Sequence, residues 1–80
     1  MRLDKYLKVT RIIKRRTVAN EACDAAHVTV NGRPAKASYD VKIGDLIEIT
    51  FGARTLRVRV LEVRETVGKD AASTLYEVVE

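Results

Sequence analysis

TVANEACDAAHVTVNG, residues 17–32, holds the change of period on which the fold turns. From Val18 the apolar positions recur at Ala22, Ala25 and Ala26, offsets of four, seven and eight that place them on one face of a helix. Thr17 is the expected cap of that helix, and the small side chains of its stripe allow a neighbour to approach closely. At His27 the period drops to two: Val28 and Val30 flank Thr29 and run directly into Asn31-Gly32. A type I′ turn needs positive φ at both central residues, which Asn and Gly tolerate, so the strand reverses there and returns through Ala35 to Ala37. A helix delivered straight into a hairpin, followed by more strands, predicts an α+β domain.

Towards the amino terminus, Leu3, Leu7 and Ile12/Ile13 recur at helical spacing with Lys and Arg between them, which predicts another short helix with its cations on the opposite face. Asp4 is its expected N-cap, with Leu3 as the apolar residue of a hydrophobic staple. Towards the carboxyl terminus, Pro34 suits a sheet edge. Residues 41–45 form a turn, and Ile47, Ile49 and Phe51 alternate with Glu48 and Thr50 as a half-buried strand. Leu56, Val58 and Val60 alternate with Arg57 and Arg59 in the next strand. Adjacent Val60 and Leu61 suggest a bulge that shifts the inward set by one residue. Residues 65–73 are polar, and 75–79 form a last strand. The expectation is two N-terminal helices packed on a small antiparallel sheet of four to five strands, in one domain spanning residues 1–80.

Seven of the first sixteen residues are basic (Arg2, Lys5, Lys8, Arg11, Lys14, Arg15 and Arg16) and one is acidic, Asp4, so this segment carries +6. The whole chain totals +4, which leaves residues 17–80 at about minus two. Basicity is therefore a local patch, and cations crowded on two adjacent helices repel one another unless a polyanion faces them. An anionic membrane surface would need exposed aromatic anchors, and Phe51, Tyr6, Tyr39 and Tyr76 are the only aromatic residues in 80. Tyr6 and Tyr39 are expected in the core. No apolar run approaches the roughly eighteen residues that span a bilayer. The one cysteine, Cys23, has no intramolecular partner, and the chain opens on charged residues, so the expected setting is cytoplasmic. Cys23 and His27, four apart, make neither a catalytic constellation nor a zinc site. The chain is expected not to be an enzyme and to use no metal or other cofactor, with Cys23 a small buried hydrophobe and His27 at the helix-to-strand turn.

RLDKYL, KRRTVANEAC, HVTVNG and KIGDLIEI, in that order and spacing, resemble the S4 RNA-binding domain over residues 1–51, with residues 52–80 as a strand-rich extension. The resemblance implies that the two helices face RNA and that Arg2, Asp4, Lys5, Lys8, Arg16, Thr17 and Asn20 lie at that surface. Arg2 and Arg16 rank first, since a guanidinium can hold a phosphate through two parallel hydrogen bonds. Asp4 is assigned to capping and to orienting a neighbouring arginine. The charge cluster adds Arg11, Lys14 and Arg15, and Lys36, Tyr39, Arg57 and Arg59 are secondary candidates. For Arg57 and Arg59, cross-strand pairing with Glu48 or Glu77 is an equal alternative.

Two positions depart from many S4 domains: Ala26 stands in place of Gly at the end of the second helix, and Arg15 in place of Ser before its start. The domain fills nearly the whole chain, and its amino terminus with the segment KASYDVKIGD resembles the stand-alone RqcP family. That resemblance implies a protein that binds ribosomal RNA of the large subunit together with peptidyl-tRNA, and acts with an RqcH-like factor in ribosome-associated quality control to extend stalled chains with alanines; a monomer is expected, although the sequence does not fix the oligomeric state. It implies no small-molecule substrate. The alternative is a structural adaptor or generic S4 module on ribosomal RNA. Such an adaptor would recruit a protein factor through the strands after residue 46, or recycle nascent-chain-bearing large subunits as the small heat-shock S4 relative does.

Overall fold

The computed structural model describes residues 1–68 and 70–79. Helix α1 (Leu3–Val9) and helix α2 (Arg16–Asp24) precede strands β1 (Val28–Val30), β2 (Arg33–Pro34), β3 (Leu46–Phe51) and β4 (Arg54–Val60). A 3-10 turn (Ala72–Leu75) leads into β5 (Tyr76–Val78). The strands form one sheet in the order β2-β1-β3-β4-β5 with every neighbouring pair antiparallel, so the expected α+β architecture is the observed one.

Ile47 and Ile49 of β3 sit opposite Val58 and Leu56 of β4, and Val28 and Val30 of β1 sit opposite Ile49 and Ile47. These side chains share one face of the sheet and join Leu3, Tyr6 and Leu7 of α1, Ile13, and Ala19 and Cys23 of α2 in a single buried cluster. Ala19 and Cys23 are the small residues that let α2 lie close; of the expected stripe, Val18, Ala25 and Ala26 are exposed and Ala22 is half-buried, so the inward face of α2 is turned by about one residue from the one the apolar spacing chose. On the other face, Glu48 pairs with Arg57 across the strands and Arg59 lies opposite Glu77. That face carries polar and charged residues, as a sheet face turned to solvent does.

Both expected helix caps are displaced by one residue or more. Asp4 and Thr17 lie at the second position inside their helices, and Arg2 and Arg15 occupy the N-cap positions with no side-chain cap bond. The free amides of α1 are taken instead by distant carbonyls: Leu3 N–H donates to Tyr39 O at 2.8 Å and Asp4 N–H to Ala37 O at 3.2 Å. Val41 N–H donates to Met1 O at 2.8 Å, and the terminal ammonium meets Asp40 Oδ1 at 2.6 Å, so residues 1–3 run alongside 39–41. Asp4, inside the helix rather than at its N-cap, takes the next free amide, that of Lys5, and is buried at 2% exposure.

Helix α2 closes in the left-handed manner that Gly usually supplies, although Ala26 provides it. Ala26 has φ 61°. Its N–H donates to Cys23 O at 3.0 Å while His27 N–H donates to Ala22 O at 2.9 Å, the paired bonds of a Schellman motif. Asn31 (φ 54°) and Gly32 (φ 83°) make the expected turn. The Asn31 side chain also ties the hairpin to β3, accepting from Leu46 N–H at 3.0 Å and donating to Asp45 Oδ1 at 3.1 Å. Pro34 lies on edge strand β2, as its missing N–H requires.

In the second half two expectations need correction and one is met. Phe51 is 47% exposed, at the last position of β3 where the chain turns into the β3–β4 hairpin. The expected bulge lies just past Val60, where β4 ends: the Leu75 carbonyl accepts from the amides of both Leu61 and Glu62, two residues opposite one, and the inward set shifts by one residue so that Leu61 is 43% exposed and Val63 packs against the core. The last strand is shorter than 75–79, since Leu75 completes the 3-10 turn and is buried with Ala72. The Tyr6 hydroxyl donates to the same Leu75 carbonyl at 2.8 Å, which fastens the tail to α1. Burial, with a smaller effect from nearby Tyr76, pushes that hydroxyl's pKa well above the ordinary tyrosine value. Tyr6 is therefore a core residue, as expected.

A left-handed conformation costs a non-glycine residue about 1 kcal/mol or more. Ala26→Gly is therefore expected to stabilise the fold by about 1 kcal/mol and to raise Tm by roughly 4–8 °C in a thermal melt followed by circular dichroism; an unchanged or lower Tm would show that residue 26 is unstrained.

Candidate nucleic-acid interface

Asp4 is the centre of the surface formed by the two helices. Its Oδ1 accepts from Arg2 Nε at 3.1 Å and from the Lys5 amide at 2.8 Å. Its Oδ2 accepts from Arg2 Nη2 and from Asn20 Nδ2, both at 3.3 Å, and lies 3.4 Å from Arg16 Nε. One carboxylate thus joins the start of α1 to the first turn and middle of α2. Burial opposes its ionisation, but the side-chain bonds from Arg2, Asn20 and Arg16 and the Lys5 amide outweigh that and hold its pKa below the ordinary carboxylate value. The contacts show Asp4 orienting both arginines; it is not the N-cap residue, and of the first-turn amides it takes only that of Lys5.

Arg2 and Arg16 each keep about half of their side chain exposed while bonded to Asp4. Held from behind by Nε, each guanidinium retains outward N–H groups in a fixed orientation, which suits a phosphate oxygen. Arg2, Asp4, Arg16, Thr17, Asn20 and Glu21 line a shallow depression of about 470 Å³. A second hollow, about 720 Å³, is lined by Lys5, Lys8, Arg11, Lys14 and Arg16 with Val9, Glu65, Thr66 and Val67. Arg16 belongs to both, so the two form one continuous cationic surface. The sharp reversal after α1, where Arg11 has φ 61°, turns Arg11 and Lys14 into this surface.

Nine of the ten primary candidate residues therefore meet. Arg15 is exposed at the N-cap of α2 and lines neither hollow. The secondary candidates lie elsewhere. Lys36 and Tyr39 line a separate depression beside the β1–β2 hairpin, with the Tyr39 hydroxyl donating to Asp45 Oδ2 at 2.9 Å. That bond, assisted by burial and the negative charges of Asp45 and Asp40, raises the Tyr39 pKa. Tyr39 is only half-buried, but it packs against the core cluster. Arg57 is paired, its Nε 3.2 Å from Glu48 Oε2, and Arg59 Nη1 donates to Gly44 O at 3.0 Å, both on the sheet face away from the helices. They do not extend the helical surface, because β4 alternation sends them to the opposite side.

Sequence reasoning missed Glu21, Glu65, Thr66 and Val67. Glu21 follows Asn20 on α2 and was open to helical-wheel reasoning, whereas residues 65–67 lie in an irregular segment whose return to α1 has no periodic signal. Among the described residues no group of His, Cys, Asp and Glu could hold a metal ion. Cys23 is buried, and burial together with Asp4 and Asp24 pushes its thiol up to about 11, so at neutral pH it is an unreactive thiol. No helix among the described residues is long and apolar enough to cross a membrane.

The S4 domain model matches residues 1–47, the segment that carries both helices and the hairpin. Over almost its whole length the chain is similar to proteins named RQC P-site tRNA stabilizing factor. That of Halalkalibacterium halodurans is 56% identical over 98% of this chain and 89% of the relative. The Bacillus subtilis protein is 47% identical over 99% of this chain and 92% of its own length. The chain belongs to this family of S4 proteins. Two solved structures share its fold: the trimeric Heat Shock Protein 15 of Vibrio cholerae, with TM-score 0.91, 30% identity and coverage of 99% of this chain and 81% of that one, and HP1423, with TM-score 0.85, 29% identity and coverage of 100% and 98%.

Asp4→Asn keeps the side-chain shape and removes the charge that Arg2 and Arg16 face. It is expected to cost about 1–3 kcal/mol of stability in urea unfolding. Because folding lowers the Asp4 pKa, its contribution is full above the unfolded value of about 3.9 and is lost as pH falls through the folded value. The acid side of the stability curve below about pH 4 should therefore be shallower in D4N than in wild type; parallel curves would remove Asp4 from this role.

Proposed function

We propose that this chain is a non-catalytic RNA-binding factor of ribosome-associated quality control. In this reading it docks on the large ribosomal subunit through rRNA, steadies the peptidyl-tRNA, and acts in the cytoplasm beside an RqcH-like factor that extends the stalled nascent chain with alanines. The observation that carries the reading is the continuous cationic surface of α1 and α2, with Arg2 and Arg16 held in place by Asp4. The name borne by its full-length relatives supplies the ribosomal and P-site destination.

A-form RNA exposes phosphates and 2′-hydroxyls rather than a readable base code, so a shallow face of oriented guanidiniums and lysines selects by shape and charge. Fixed guanidiniums pay little ordering entropy on binding, and each neutralised phosphate releases a counterion. Nothing in this action requires bond chemistry. The protein contributes a rigid positive surface where two RNA molecules must be kept in register.

An adaptor role for the strands after residue 46 draws on one observation, the exposure of Phe51 at the end of β3 and of Val78 on the edge strand β5. Co-sedimentation with purified large and small subunits across a salt series separates the readings. Wild type is expected to pellet with large subunits selectively and to be released by salt. Arg16→Glu, or Arg2→Ala with Arg16→Ala, should lose at least tenfold in affinity while the circular dichroism spectrum is retained. Binding indifferent to these changes would reject the helical surface and favour the strands.

A further inference from the structure

Glu65 places a carboxylate inside the cationic hollow that the proposed function assigns to RNA. The Lys5 Nζ is ion-paired with Glu65 Oε2 across sixty residues of sequence. Glu65 is the one carboxylate among the described residues lining this hollow, where it faces Lys5, Lys8, Arg11, Lys14 and Arg16. Its side chain is 71% exposed, so the pair stands in solvent, where such contacts add little to stability. The bond from Lys5 and its positive charge keep Glu65 ionised. The segment that carries it lies beyond the residues matched by the S4 domain model.

We propose that Glu65 is a specificity-determining residue: an internal anion that occupies Lys5 in place of a phosphate and so rejects RNA backbones that approach over residues 65–67. The inference rests on the RNA-binding reading of the helical surface. A phosphate reaching Lys5 must break the ion pair and then lie beside an uncompensated carboxylate, a penalty every generic duplex meets. An RNA whose backbone follows Lys8, Arg11, Lys14 and Arg16 leaves the pair intact and escapes that penalty. Discrimination thus comes from a repulsive element as well as attractive ones. The charge count agrees: a bare hollow of five cations would hold any polyanion, which is a hazard in a cell full of RNA.

The test compares wild type, Glu65→Gln, Lys5→Gln and the double variant against a blunt RNA duplex of arbitrary sequence and against purified large ribosomal subunits, each across a salt series. Glu65→Gln is expected to bind the generic duplex about three- to tenfold more tightly, with a log–log salt slope steeper by about one, because Lys5 then releases one more counterion. Affinity for large subunits should rise by less than twofold, so the preference for the subunit falls. In the double variant the gain on duplex should vanish. Equal gains on both RNAs, no gain, or weaker binding with a lowered Tm would overturn the proposal, the last by showing that Glu65 is only a tether for its loop. Should wild type show no preference for large subunits, the ribosomal reading fails by itself, and the duplex slope still decides whether Glu65 competes for Lys5.

Discussion

The buried ionised carboxylate of Asp4 is the constraint on which the rest of the functional surface depends. A carboxylate at 2% exposure is tolerable only if its lone pairs are filled, and here two guanidiniums, an amide side chain and a backbone N–H fill them. The requirement runs both ways. Asp4 needs cations to remain charged, and Arg2 and Arg16 need an anion to stay near one another without RNA. One cluster therefore fixes the approach of α1 to α2 and orients the groups available to a phosphate. Its place in the sequence suggests an N-cap, but Asp4 lies inside the helix, whose first two amides go to the carbonyls of Tyr39 and Ala37.

Those carbonyls show how the sheet half of the molecule serves the helical half. The hairpin at Asn31-Gly32 returns the chain through Ala35 and Ala37, both buried, and the following residues run beside Met1–Leu3. At the far end, the Leu75 carbonyl receives the Tyr6 hydroxyl and so connects the tail to the same helix. α1 is only seven residues long, too short to persist alone in water. Its stability comes from these non-local bonds and from burying Leu3, Tyr6 and Leu7.

The legible parts of the fold were those written in local chemistry. The period switch at His27, the Asn31-Gly32 turn and the alternation of Ile47, Ile49, Val58 and Val60 each appear in the structure where the pattern places them. The cationic cluster was legible because charge density needs no fold to be counted. The errors came where a distant segment decided the outcome. Local capping rules chose Asp4 and Thr17, but the amides of α1 found partners more than thirty residues away. Ala26 shows a different failure: the left-handed end is demanded by the path from α2 to β1, and the chain adopts it despite the steric cost of a Cβ. Phe51 fits a strand by alternation, yet alternation does not mark where the strand gives way to the hairpin turn. Glu65 left no local signal, since a lone acid in an irregular stretch looks the same whether it meets water or Lys5.

The distribution of charge completes the physical argument. Arg57 is neutralised by Glu48 and Arg59 is bound to the Gly44 carbonyl, so the outer sheet face presents cations already occupied. The excess positive charge is concentrated in residues 1–16 while the remainder is net negative. A molecule polarised in this way turns its helical face towards a polyanion before contact, because its field attracts on one side and is neutral or repulsive on the other. Orientation is thus set at long range by charge. At short range the two guanidiniums on Asp4 are held in one arrangement, so under the proposed reading a small domain with shallow hollows can still meet RNA in one pose.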